Sequence, residues 1–211
     1  MTAIVDSSNR WSRIAIALVS TTLLYNVFEA IVALWFGAAA DSIALFGFGL
    51  DSGIETAAAV VMLYRLWVEY RGVDGERIAQ IEHRVHQFIG ATFLLLAAYV
   101  SGQAGWTLWQ QNAPDESPIG IALAALSLAI MPLVSWGKLR AASELGSAAL
   151  RAEAKETLAC SYLSFALLLG LVANAVAGWW WADPLAALLM VPWLIKEGRE
   201  GLSGEECECH D

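Results

Sequence analysis

The sequence predicts an all-α, polytopic membrane protein with six transmembrane helices, and three observations carry that prediction. Apolar residues fill 58% of the 211 positions and the mean hydropathy is +0.55, beyond the range of an ordinary soluble domain. Six windows approach the roughly 20 apolar residues that a hydrocarbon core of about 30 Å demands of a helix. All twelve Lys and Arg residues fall on one side of the topology those windows generate.

The windows run from Ile14 to Ala40, Ser42 to Trp67, Gln87 to Trp109, Ile119 to Trp136, Thr157 to Trp181 and Asp183 to Leu202. In the sixth, the unbroken apolar part, Pro184 to Ile195, is short, and Pro192 interrupts it. The opening "MTAIVDSSNRWSR" is polar and the first window too long for a signal-peptide core, so no cleaved leader is expected.

Three connections, "AAADS", "QQNAPDESP" and "GWWWADP", contain no basic residue and are assigned to the outer side. The basic residues, from Arg10 to Arg199, then lie on the cytoplasmic side together with both termini. Tryptophans agree: Trp11, Trp35, Trp67, Trp106, Trp109, Trp136 and the Trp179 to Trp181 run fall near window ends, where amphipathic rings favour the interface. The net charge of −9 argues against nucleic-acid binding. Cys160, Cys207 and Cys209 would lie in the membrane or on the reducing side, so a disulfide scaffold is not expected.

Charged groups inside the windows need a reason, because an ionised carboxylate near the bilayer centre is costly without a cavity, a partner or an ion. Glu29, Asp51 and Glu55 are the three such acids. A spacing of four places Asp51 and Glu55 on one helix face, one turn apart. Counting from the short turn between the first two windows brings Glu29 to a similar depth, with Asn26 on its face and Tyr25 a further candidate. The plain alternative is that these acids are protonated packing residues.

On the fifth window Glu153, Thr157, Cys160, Ser161 and Ser164 recur at helical spacing as a polar stripe. Ser164 is assigned to hydrogen bonding with backbone. Cys160 alone would read as a small hydrophobe. Facing the carboxylates, its thiolate would complete a mixed soft and hard site that suits Zn²⁺ or Cd²⁺ over Mg²⁺ or Ca²⁺. Ion and proton would then compete for the same donors, the physical basis of a metal/proton exchanger. Glycines Gly47, Gly49 and Gly53 beside these acids would allow close helix approach.

Two further sets of donors lie toward the cytoplasm. Glu82, His83 and His86 share a helical turn and could hold a cation, or be ordinary polar residues at a solvated helix start. The tail "GEECECHD" offers Cys207, Cys209 and His210 among acids as a metal-binding segment.

The stretches "LLYNVFEAIVALWFGAAADSIALFGFGLDSGIE" and "ALRAEAKETLACSYLSFALLLGLVANAVAGWWWADPLAALLM" resemble the second and fifth helices, with flanks, of the cation diffusion facilitator family. The resemblance implies a six-span homodimer, in the branch without a C-terminal cytoplasmic domain, that exports divalent transition metals in exchange for protons. The family's site pairs Asp or His with Asp four residues later on helix two; Asp51 and Glu55 stand there. Its helix-five His and Asp correspond to Thr157 and Ser161, a departure for which Cys160 and Glu29 are expected to compensate, with Ser161 or Asn26 in support.

The expected organisation is a transport domain over residues 1–202 and a short acidic Cys/His tail over 203–211, in a cell membrane, the bacterial inner membrane in particular. The expected substrates are Zn²⁺ or Cd²⁺ and protons, with no cofactor and no enzyme activity. A membrane metal sensor or accessory protein without transport is the competing reading.

Overall fold

The computed structural model describes residues 2–71, 75–111 and 114–203, with side chains over most of that range. Among the described residues the chain forms six helices and no strand: α1 (Thr2–Ala39), α2 (Ile43–Arg71), α3 (Gly75–Gln110), α4 (Pro118–Leu145), α5 (Ala148–Ala177) and α6 (Ala182–Ser203). The helix count and order match the six windows, and the protein is an all-α, multi-pass membrane protein.

Helix limits differ from the apolar windows, because hydropathy marks where lipid ends and capping marks where a helix ends. Ser117 caps α4, accepting from the Gly120 amide with Pro118 beside it in the first turn, and Gly146 closes the helix in the left-handed conformation. The α4 helix therefore runs nine residues past Trp136 and carries Lys138 and Arg140 with it. Ser147 caps α5, which begins nine residues before Thr157, and Gly178 ends it before the tryptophan run. The sixth helix passes through Pro192 without a break, as membrane helices tolerate when neighbours and local adjustments satisfy the freed backbone groups.

Segments of α1, α2, α4 and α5 (Arg10–Ala39, Ile43–Tyr64, Pro118–Leu145 and Glu153–Ala177) are long and apolar enough to span a bilayer. The strongest pairings join α1 to α2, α4 to α5 and α3 to α6; α1 also meets α4, and α2 meets α5. The surface is apolar where lipid would lie, with Leu24, Ile31 and Trp35 on α1, Leu133 and Trp136 on α4, and Leu169 and Val176 on α5 exposed. The interior holds Phe48, Leu45, Leu163 and Leu167, but also Glu29, Asp51, Glu55, Asn26 and Lys138. Large apolar residues outside and acids inside is the reverse of a soluble helical bundle.

Two devices fix α2, which bears the helix-two acids. At Gly49 a Cβ would come within 2.8 Å of the Leu34 backbone nitrogen, so only glycine lets α1 and α2 approach this closely. Gly53, by contrast, is exposed and packs against nothing, against the expectation that it serves a helix contact. At the other end Asp183, in the first turn of α6, reaches across to the start of α2. Its carboxylate accepts from Ser42 Oγ, from the Ile43 amide at 3.0 Å and from the Ala44 amide at 3.4 Å, capping a helix that is not its own.

Candidate metal centre

One face of α2 meets one face of α5 at Asp51, Glu55 and Cys160. Each offers a donor atom, and the three atoms lie within 4.8 Å of one another, all buried. A tetrahedral ion with bonds near 2.0 to 2.3 Å needs donors about 3.5 Å apart, so a small convergence of side chains would close the shell.

Around this cluster the hydrogen bonding is unfinished. Asn26 Nδ2 on α1 donates to Glu55 Oε2 at 3.1 Å, while Asn26 Oδ1 has no partner among the described residues. Asp51 Oδ2 and Ser161 Oγ are also buried without partners among the described residues. Orphaned acceptors are rare inside proteins and costly, on the order of 1–3 kcal/mol each. Here several occur on or beside a set of three metal-ligand types, and a bound cation would satisfy them.

Glu29 lies elsewhere. Its Oε2 accepts from Ser52 Oγ at 2.9 Å and its Oε1 from Ser127 Oγ, and the Tyr25 hydroxyl bonds Ser127 at 2.7 Å. Ser52 follows Asp51 in the chain, so Glu29 does reach the depth of Asp51 that counting from the turn indicates. It is nevertheless outside the three-donor cluster, with both oxygens occupied by hydroxyls from α2 and α4.

On α5, Thr157 donates to the Glu153 carbonyl at 3.1 Å and accepts from Lys138 Nζ at 3.0 Å, so its hydroxyl is engaged before any ion arrives. Ser164 donates to the Cys160 carbonyl, the backbone role assigned to it. Glu82, His83 and His86 fall on α3, but their side chains lie outside the described residues, as do Cys207, Cys209 and His210.

Sequence reasoning missed Ser52, Ser127 and Lys138. The signal for two of them was present in α4: Ser127, Met131, Ser135 and Lys138 follow helical spacing and form its buried stripe. Lys138 had been counted only as a positive charge on the cytoplasmic side, since a lysine near a window end normally extends into water.

Residues 19–202 match the cation efflux transmembrane domain family. The chain belongs to that family. The match confirms the resemblance to the cation diffusion facilitators seen in the α1–α2 and α5–α6 stretches. Over 150 residues the chain is 29% identical to an uncharacterized transporter from Synechocystis, an alignment covering 70% of this chain and 48% of that protein. The chain thus spans about half the length of the relative it matches.

Proposed function

We propose that the protein exports a divalent transition metal, Zn²⁺ or Cd²⁺, from the cytoplasm in exchange for protons, using Asp51, Glu55 and Cys160 as ion ligands with Asn26 and Ser161 in support. The observation that carries the reading is the buried three-donor cluster with unpartnered oxygens beside it, in a chain of the cation efflux family. A thiolate and two carboxylates favour a borderline or soft ion and disfavour Mg²⁺ and Ca²⁺, which take oxygen ligands in larger number.

Exchange follows from the same donors. With no ion bound, three anions packed this closely in a low dielectric repel one another, and protons relieve the repulsion. An arriving ion takes the protons' place, and protons arriving from the outer side release the ion. Glu29 serves as a hydrogen-bonded post that ties α1, α2 and α4 together. A homodimer in the bacterial inner membrane, with both termini cytoplasmic, is the assembly this reading adopts. The basic residues and their charge asymmetry support the orientation.

The test is Zn²⁺ and Cd²⁺ flux into proteoliposomes under an imposed pH gradient, comparing the unaltered chain with Asp51→Ala. Gradient-driven flux that disappears in the variant is the expected result. Metal binding without flux in correctly inserted protein would overturn transport and leave the sensor or accessory reading.

A further inference from the structure

The α5 stripe does not stop at the metal cluster. Glu153 stands one turn before Thr157 and about two turns, or roughly 10 Å, before Cys160, on the same helix face. It lies toward the end where Arg140, Arg151 and Lys155 are exposed, the cytoplasmic end in the orientation adopted above. Between Glu153 and Thr157 sits a cation already: the ammonium of Lys138 from α4, donating to Glu153 Oε1 at 2.6 Å and to Thr157 Oγ1 at 3.0 Å. The Lys138 side chain is 0% exposed.

A buried ion pair is a weak source of stability, since the desolvation of both charges offsets most of their attraction and apolar replacements often do as well. Glu153 and Lys138 are also imperfectly matched, because Glu153 Oε2 is buried and has no partner among the described residues. What Glu153 and Thr157 do make around the ammonium is a cation-binding geometry, with a hydroxyl lone pair and a carboxylate of which one oxygen is to spare.

We propose that Glu153 and Thr157 form an entry station for the divalent ion on its way to Asp51, Glu55 and Cys160, and that Lys138 is the station's tethered occupant, displaced by the incoming ion. The inference rests on the transport reading for direction, but the station itself is a binding site that can be counted separately. Charge makes it selective. A monovalent ion gains from Glu153 no more than the ammonium already supplies, whereas a divalent ion gains about twice the Coulomb attraction at equal distance. The ammonium would also return to Glu153 once the ion moves on, leaving no unpaired buried carboxylate behind it.

Isothermal titration with Cd²⁺ on the full detergent-solubilised chain tests the station through the difference between variants, which cancels any ion held elsewhere. Lys138→Gln, free of the competing ammonium, is expected to bind the station's Cd²⁺ at least tenfold more tightly than the unaltered chain. Adding Glu153→Gln should abolish that tighter binding, and adding Asp51→Asn should leave it. An unchanged affinity in Lys138→Gln overturns the proposal. Should that variant fail to fold, Lys138→Gln/Glu153→Gln carries the test, because it leaves no unpaired charge. In the flux assay it is expected to raise the half-saturating Cd²⁺ concentration about tenfold at an unchanged maximal rate, and an unaltered half-saturation overturns the station. Absence of flux in the unaltered chain would instead count against transport, while the tighter Cd²⁺ binding of Lys138→Gln would still be measurable.

Discussion

Two sets of buried acids sit at one depth in this bundle and are treated in opposite ways. Glu29 is 0% exposed and has a hydroxyl on each oxygen, from Ser52 and Ser127, with Tyr25 bonded behind Ser127. Asp51 and Glu55 are nearly as buried, yet among the described residues Asp51 Oδ2 has no partner and Glu55 accepts from an Asn26 whose own oxygen is unpartnered. A satisfied acid holds helices together, and an unsatisfied one beside a thiol is prepared for something that arrives. Burial alone therefore does not identify a ligand; the state of its hydrogen bonds does.

The largest effect should come from breaking the unsatisfied side. Asp51→Asn keeps the shape of the side chain and removes its charge, and metal affinity is expected to fall by roughly 100-fold or more, since even residues behind metal ligands are worth 10–100-fold. Thermal stability without metal should hold or rise, because an acid that must be neutralised by a proton when no ion is bound gives way to a neutral amide. Titration calorimetry and a melting curve on the same preparation read both. A stability loss without an affinity loss would erase the distinction between the two regions.

Next in size is the thiol. Cys160→Ser replaces a soft ligand with a hard neutral one, so Cd²⁺ affinity should drop about tenfold more than Zn²⁺ affinity. Equal losses for the two ions would place the sulfur outside the coordination shell. On the satisfied side, Glu29→Gln should leave Cd²⁺ binding within about threefold and cost about 1–2 kcal/mol of stability. Interhelical hydrogen bonds in membranes average near 0.6 kcal/mol each, and Ser52 and Ser127 can still bond the Phe48 and Leu123 carbonyls. A metal-affinity loss as large as that of Asp51→Asn would make Glu29 a ligand after all.

The helices, their number and the acids on α2 were legible because each rests on a local pattern: about twenty apolar residues, or two carboxylates one turn apart. Cys160 was legible for the same reason, as part of a stripe on one helix. What could not be read was pairing between helices. Nothing in the chain near Glu29 announces that Ser52 and Ser127 will donate to it, because those contacts cross 23 and 98 positions of sequence. Asp183 shows the same limit. It was legible as the start of the sixth window, but its role as the cap of α2 depends on how α6 packs, 140 residues away from the amide that donates to it. Lys138 was misjudged because its charge was weighed and its place on the buried α4 stripe was not.

The smallest effect sharpens the comparison most finely. Tyr25→Phe removes only the hydroxyl that backs Ser127, while the bond from Ser127 to Glu29 remains available. A post built from redundant hydroxyls should lose about 0.6 kcal/mol, the average for one interhelical hydrogen bond, and metal binding should not move. If the hydroxyls were instead a relay serving the ion site, loss of the outermost member would slow proton-coupled flux while leaving stability nearly intact. Measured side by side, the melting temperature and the flux rate of this one variant separate a polar strut from a proton path, since the strut predicts a change only in the first and the path a change only in the second.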